Sequence, residues 1–267
     1  MEAAVSRHQA VALSAPSESL EAAYPPAHPR FELQLAPAHD TPTATLQSVD
    51  VRPRERSETA TRVVNVTIAL IGLVAASPLM VVVALLVKLT SRGPVLYSQT
   101  RVGVDRRYKR SDTDDRRVHD HGGKPFEMYK FRSMAIDSEA DGRAVWAARE
   151  DPRATPIGRV LRKTRLDELP QFYNVIRGDM NIVGPRPERP TIFAELRQNI
   201  PQYHMRQRVR PGITGWAQVN QAYDGCLDDV RQKVSYDLEY IQRQSVLEDL
   251  RIMSMTIPVM LFGRGGW

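Results

Sequence analysis

The sequence predicts an α+β fold: a mostly helical, membrane-associated domain with a re-entrant helix-break-helix, interfacial amphipathic helices and a few short strands. Three observations predict it. An uncharged run from Val63 to Val87 is interrupted near its middle by Ser77-Pro78. Apolar residues recur at helical spacing over 157–176 and 228–244, whereas strand-like stretches are short. The remainder is polar, with a mean hydropathy of −0.38, so one apolar segment serves an otherwise hydrophilic chain.

The elements follow in order. Residues 1–58 are rich in Ala, Pro, Ser, Thr and Glu and poor in large apolar side chains. Such a segment cannot bury enough surface to offset its ordering entropy, which predicts a disordered tail before a domain over 59–267. The membrane element covers 63–89. It is long enough to cross a bilayer, which takes roughly 20 residues. Proline, however, lacks a backbone N–H and clashes with the preceding turn, so it splits or kinks the helix. Arg52, Arg54, Arg56 and Arg62 precede the run; Lys88, Arg92, Arg101, Arg106 and Arg107 follow it. A spanning helix has one basic, cytoplasmic side. Basic flanks on both sides therefore predict a helix that dips into one leaflet and returns, with a kinked single span as the competing geometry.

Beyond it, Val95-Leu96-Tyr97 and 126–134 read as short strands, and Arg106 to Gly123 as a flexible loop. Thr155-Pro156 reads as an N-cap with proline at the first helical position. Ile157, Val160 and Leu161 would share that helix's apolar face. Pro170 breaks it, and Phe172, Val175 and Ile176 resume it. Val230, Val234, Leu238 and Ile241 mark a helix over 228–244. Residues 247–262 are apolar and suit either the membrane interface or the core.

Composition narrows the function. The 267 residues carry 37 Lys and Arg against 31 Asp and Glu, a net charge of +6. That excess suits an anionic membrane surface, a phosphorylated substrate or nucleic acid. Nucleic acid is set aside, because no reading motif is present and acids interleave the basic residues. The single Cys226 excludes an intrachain disulfide and fits a reducing compartment.

Four stretches can carry chemistry. In Arg165-Leu-Asp167-Glu168-Leu-Pro170-Gln171, two acids follow a basic helix face. Neighbouring side chains on a helix point about 100° apart, so a division of labour is available. One carboxylate can attack phosphorus and the other can hold Mg²⁺. The plainer reading is two surface acids paired with arginines. In Val183-Gly-Pro185-Arg186-Pro187-Glu188, the prolines pre-order an extended segment, and a rigidly held guanidinium grips phosphate well. The run from Arg177 to Pro190 also contains Asp179. In Lys130-Phe-Arg132-Ser133-Met134, a strand would project Lys130 and Arg132 from one face toward a diphosphate. In Arg210-Pro-Gly-Ile-Thr-Gly-Trp216-Ala-Gln218, the glycines allow close backbone approach, and Trp216 suits a membrane interface or the core. His119-Asp120-His121 is a weak metal motif without a cysteine partner.

Together with the Pro78-interrupted anchor, these motifs resemble the bacterial sugar transferase family of monotopic phosphoglycosyl transferases, from about Thr61 to Trp267. The form resembles the exopolysaccharide-initiating branch. The resemblance implies that Asp167 is the nucleophile and Glu168 a ligand of Mg²⁺, with Mn²⁺ as its substitute. It implies phosphate binding by Lys130, Arg132, Arg165 and Arg186. It leaves Ser133, Asp179, Pro185, Glu188, Arg210 and Gln218 as further site candidates and Ser77-Pro78 as the membrane break. The reaction it implies is transfer of a hexose-1-phosphate, glucose or galactose, from a UDP-sugar to undecaprenyl phosphate at the cytoplasmic face of the inner membrane. Downstream glycosyltransferases and a second copy of the chain are the further partners. A non-catalytic scaffold on anionic lipid is the alternative. Two features depart from the family: Asn65 stands near a place where an acid is common, and the 106–123 loop replaces a short turn.

Overall fold

The computed structural model describes residues 50–109, 122–136, 138, 151–221 and 226–262. The predicted tail through residue 49, most of the 106–123 loop and the His119–His121 motif lie outside the described residues.

Helix α1, Glu58–Thr90, runs for 33 residues. At 1.5 Å per residue that is about 50 Å. Ser57 caps its first turn by accepting from the Ala60 amide at 3.2 Å. Glu58 and Lys88 place opposite charges at the two ends, in the sense the helix dipole favours. The break expected at Ser77-Pro78 is not a break in the helix, which continues through Pro78. Proline deprives the Val74 carbonyl of its usual amide partner. The Ser77 hydroxyl donates to that carbonyl instead, at 2.8 Å.

Both ends of α1 are tied to the rest of the chain. Near the start, the Asn65 amide donates to the Thr61 carbonyl at 2.8 Å, and its oxygen accepts from the Ile182 amide at 2.6 Å. A carboxylate there could not donate the first bond. The Arg62 guanidinium donates to the Val175 and Ile176 carbonyls. A Cβ on Gly72 would lie 2.9 Å from the Phe172 ring, so a larger residue would make that ring shift. Near the far end, Val83 and Val87 are buried with Phe131 and Leu161. Between these contacts Val74, Leu79, Val81 and Val82 are exposed.

Strands β1, Leu96–Val102, and β2, Pro125–Phe131, form an antiparallel ribbon with Leu96 opposite Phe131 and Val102 opposite Pro125. The second strand ends earlier than the predicted 126–134, so Arg132, Ser133 and Met134 leave it. Helix α2, Pro156–Lys163, begins at the expected cap, where Thr155 accepts from the Gly158 amide at 3.0 Å. Its predicted face is met in part, since Leu161 is buried and Ile157 packs partly buried against the same cluster. Gly158 and Leu161 are buried, whereas Val160 is exposed. A Cβ at Gly158 would meet the Ser133 carbonyl at 1.9 Å, and that contact sets the rotation of the helix. Helix α3, Gln171–Arg177, follows Pro170.

Strands β3, Asn181–Val183, and β4, Gly212–Thr214, pair in parallel. They approach so closely that a Cβ on Gly215 would lie 2.3 Å from the Gly184 carbonyl. Helix α7, Val246–Phe262, packs on both strands, α5, Trp216–Asn220, meets α7 and α6, Leu227–Arg243, and α4, Pro190–Asn199, packs against β1. The α6 stripe is as predicted, with Val230, Val234, Leu238 and Ile241 buried. Each such side chain contributes about 1.5–3 kcal/mol when fully buried. Helix α7 contributes Ile252 to the core, whereas its Leu247, Leu250 and Ile257 are exposed. Trp216 packs partly buried against the core, one of its two predicted environments, with Arg243 and Arg251 over its ring and its indole N–H donating to Glu239 at 2.7 Å.

Residues 50–57, assigned by composition to the tail, lie against the domain. Val51 is buried, the Arg54 amide donates to the Ile241 carbonyl at 3.0 Å, and Arg56 pairs with Asp249 at 2.9 Å. Composition misses this because polar side chains make most of the contacts.

One buried cation joins the core to the loop after β3. Arg206 bonds Asp237 on α6 at 2.6 Å, the Tyr203 hydroxyl at 2.7 Å and the Arg186 carbonyl at 3.1 Å. Arg206→Met should cost about 3–5 kcal/mol by stranding Asp237, whereas the double variant Arg206→Met/Asp237→Leu should recover much of the loss. Thermal unfolding of the detergent-solubilised proteins checks both.

Candidate active site

Helix α2 ends at Thr164, and the chain reverses at Arg165 with φ 57°. That left-handed conformation costs a non-glycine residue roughly 1–2 kcal/mol. It launches a 3₁₀ turn, Leu166–Glu168, which holds both acids. Side chains one residue apart in such a turn diverge by about 120°, more than on an α-helix. Asp167 and Glu168 are each only 6% exposed, which removes the reading as surface acids. Both line a cavity of about 510 Å³ between the β1–β2 ribbon, this turn and the loop after β3.

The two acids have different surroundings. Glu168 Oε1 accepts from Lys130 Nζ at 2.8 Å and from Arg186 Nη2 at 2.7 Å. Its Oε2 faces Arg165 Nη1 at 3.5 Å. Burial alone would raise its pKa, but Arg186, Lys130 and Arg165 outweigh burial and hold it well below the usual carboxylate range. Glu168 in turn is the main cause that raises the pKa of Arg186. Asp167 makes no hydrogen bond or ion pair among the described residues. Burial pushes its pKa up to about 6, with Lys130 opposing and the Glu168 charge adding to the rise. Lys130 is itself lowered, by burial against the pull of Glu168.

The cavity thus brings together Lys130, Arg165, Asp167, Glu168 and Arg186, with Arg132, Ser133 and Glu188 on its walls. Arg132 is committed elsewhere than predicted. It donates to the Ser91 carbonyl at 2.9 Å, to its hydroxyl at 2.7 Å, and to the Arg92 carbonyl, closing the end of α1. The Ser133 carbonyl accepts from the Thr155 amide at 3.0 Å. Four candidates stand apart from the cavity and hold the β3–β4 region together. Arg210 Nε donates to the Gly178 carbonyl at 3.1 Å, and the Pro185 carbonyl accepts from the Gly212 amide at 3.0 Å. Gln218 donates to the Ile213 carbonyl at 3.0 Å, and Asp179 pairs with Arg177 at 3.2 Å. Ser77 and Pro78 lie on the exposed middle of α1.

Sequence reasoning missed Arg101 and Lys233, which line the same cavity. The period-two alternation of Tyr97, Gln99 and Arg101 was the available signal for the first. A lysine on the polar edge of α6 gives no signal for the second.

The donors fit a magnesium or manganese ion in one manner. Glu168 Oε2 has only the long Arg165 contact, and Asp167 is unpaired, while no cluster of three acidic, histidine or cysteine ligands occurs among the described residues. Mg²⁺ often binds through one or two carboxylates, with substrate phosphates and water completing its shell.

The family model described as bacterial sugar transferase matches residues 56–263. This chain belongs to the bacterial sugar transferase family. Three curated relatives accompany that match. The chain is 43% identical over 76% of its length to the UDP-N-acetylgalactosamine-undecaprenyl-phosphate N-acetylgalactosaminephosphotransferase of Aeromonas hydrophila. It is 39% identical over 86% of its length to the UDP-glucose:undecaprenyl-phosphate glucose-1-phosphate transferase of Escherichia coli (strain K12). It is 37% identical over 83% of its length to the enzyme of the same name from Caulobacter vibrioides. The matched part covers 44%, 45% and 77% of these relatives, so the chain spans about half the length of the first two.

Within this sugar transferase, the carboxylate band of Asp167, isolated as the infrared difference between wild type and Asp167→Asn, should titrate with a midpoint near about 6. Lys130→Met should move the midpoint upward, because Lys130 favours the anion. A midpoint near the ordinary aspartate value would contradict the environment described.

Proposed function

We propose that this sugar transferase moves a hexose-1-phosphate from a UDP-sugar to undecaprenyl phosphate through a covalent intermediate on Asp167. The observation that carries the reading is the asymmetry of the acid pair: Glu168 holds three cations while Asp167 beside it is buried and unpaired. An Asp167 oxygen attacks the sugar-bearing phosphorus. The bond from that phosphorus to the bridging oxygen breaks, and UMP leaves with the electron pair. An oxygen of undecaprenyl phosphate then attacks the same phosphorus and expels the carboxylate. The products are undecaprenyl-diphospho-hexose and UMP.

The chain's own groups do most of the work, as phosphoryl transfer depends chiefly on positioning and charge stabilisation. Lys130, Arg165 and Arg186 spread positive charge around the reacting phosphorus, and Glu168 fixes their directions. A bound Mg²⁺ or Mn²⁺, held by Glu168 with substrate oxygens, would offset diphosphate charge. Glucose is the sugar proposed, since the relatives from Escherichia coli and Caulobacter vibrioides are named as glucose-1-phosphate transferases.

The same reading extends to the membrane. Among the described residues, α1 is the helix long and apolar enough to cross one. Its attachments at Asn65 and at Ser91–Arg92 reach the same body of the protein, and the exposed apolar stretch lies between them. This supports a path that enters and leaves by one face, bent at Ser77-Pro78 within a continuous helix and not broken there, with both ends on the cytoplasmic face. The cavity then opens at headgroup level, where a lipid phosphate resides.

UMP release from a panel of UDP-sugars tests the reaction. Without acceptor, wild type should give a burst matching the enzyme present, followed by turnover once undecaprenyl phosphate is added. Asp167→Asn should lose burst and turnover together. Glu168→Gln should slow the burst by about 10²–10³-fold. Absence of UMP with every donor would refute the reaction. For the topology, Ala60→Cys and Arg92→Cys, each in a Cys226→Ser background, should both react with an impermeant maleimide from the cytoplasmic side. Reaction from opposite sides would establish a span.

A further inference from the structure

We infer that Arg101 and Lys233, bridged by Glu188, form the subsite that holds the phosphate of the departing nucleotide, at the end of the cavity remote from the lipid. The inference rests on the transfer reaction above and assigns to it two residues and a direction.

The β1–β2 ribbon sets the direction. Tyr97, Gln99 and Arg101 alternate along β1 and all line the cavity. Residues two apart on a strand share a face, and Tyr97 to Arg101 covers about 13 Å at 3.3 Å per residue. Lys130, which holds Glu168, is the partner of Tyr97 in the ribbon. The acid pair therefore sits near one end of this row and Arg101 marks the other.

The two ends differ in chemistry. At the near end Pro94, Met134 and Ile136 give the cavity wall its apolar surface, with Arg132 and Ser133 beside them. This wall adjoins the end of α1, since a Cβ on Gly93 would meet both Ile136 and the Arg132 side chain that closes the helix. An apolar mouth beside the membrane helix suits a polyprenyl chain.

At the far end, Glu188 Oε2 lies 3.8 Å from Arg101 Nη1, and Glu188 Oε1 lies 3.4 Å from Lys233 Nζ on α6. Each carboxylate oxygen thus faces one cation. A phosphate offers the same bridging geometry with more charge. The buried Arg101 Nε has no hydrogen-bond partner among the described residues. Burial lowers the pKa of Arg101 to about 10, with Glu188 opposing and the like charges of Arg186 and Arg189 adding their repulsion. An added dianion would relieve that repulsion. The resting site therefore keeps Glu188 as a counter-ion where the nucleotide phosphate would bind.

UMP and undecaprenyl phosphate both present a phosphate, so the test measures each separately on the full chain in nanodiscs. UMP affinity is read by equilibrium dialysis, and acceptor half-saturation is read from UMP release. Arg101→Gln and Lys233→Gln should each weaken UMP about tenfold or more while leaving acceptor half-saturation in place. Glu188→Gln should tighten UMP, a change of sign that a misfolded protein cannot produce. Unchanged UMP affinity in all three variants would overturn the subsite, as would a rise in acceptor half-saturation with UMP binding intact. Failure of wild type to bind UMP while still releasing it would overturn the subsite and spare the reaction. Binding of UMP that depends on these residues, without UMP release from any donor, would uphold the subsite and defeat the reaction.

Discussion

A buried carboxylate shared by three cations organises this protein. Glu168 meets Lys130 from β2, Arg165 from the turn after α2 and Arg186 from the loop after β3. Taking a carboxylate out of water costs several kcal/mol and is offset only when its partners are well placed. Three separate segments must therefore be held in register around one side chain. The glycine-mediated pairing of β3 with β4 holds the third segment, and Arg206 holds the Arg186 carbonyl from beneath. The left-handed turn at Arg165 brings the acids to the same wall. Asp167 is then buried beside cations that are already engaged, the condition under which a carboxylate remains available for attack.

The same assembly ties the cavity to the apolar helix. Arg132 leaves the ribbon one residue after Phe131 and binds the end of α1. The strand that carries Lys130 is thus joined directly to the apolar helix. Asn65 does the equivalent work at the other end by meeting Ile182 in β3. Both ends of α1 are thus fixed to segments that lead into the cavity walls.

Much of this was legible in the sequence. The apolar run, the Thr155-Pro156 helix start and the α6 stripe follow from local chemistry, whereas Lys130 and Arg186, expected to face substrate phosphate, are instead brought to Glu168 by the fold. Other features depend on contacts that no local pattern encodes. Arg132 and Lys130 share strand spacing, but the strand ends between them, so one serves the acid and the other a helix terminus. Pro185 in one motif and Arg210 and Gln218 in another are as prominent as the acid pair, yet they hold backbone together. Val160 points outward because Gly158 fixes the helix against Ser133, a contact invisible to periodicity. Arg206 carries no signal because buried arginines look like surface arginines in a sequence.

The central claim is that Asp167, left unpaired by the Glu168 cluster, becomes covalently bonded to phosphorus. Wild-type protein mixed with UDP-glucose alone, quenched and digested, can be mapped by mass spectrometry over residues 166–177. The account predicts a hexose-phosphate adduct on Asp167 that undecaprenyl phosphate removes before the quench. An adduct on another residue, or UMP release with no adduct at all, would contradict it.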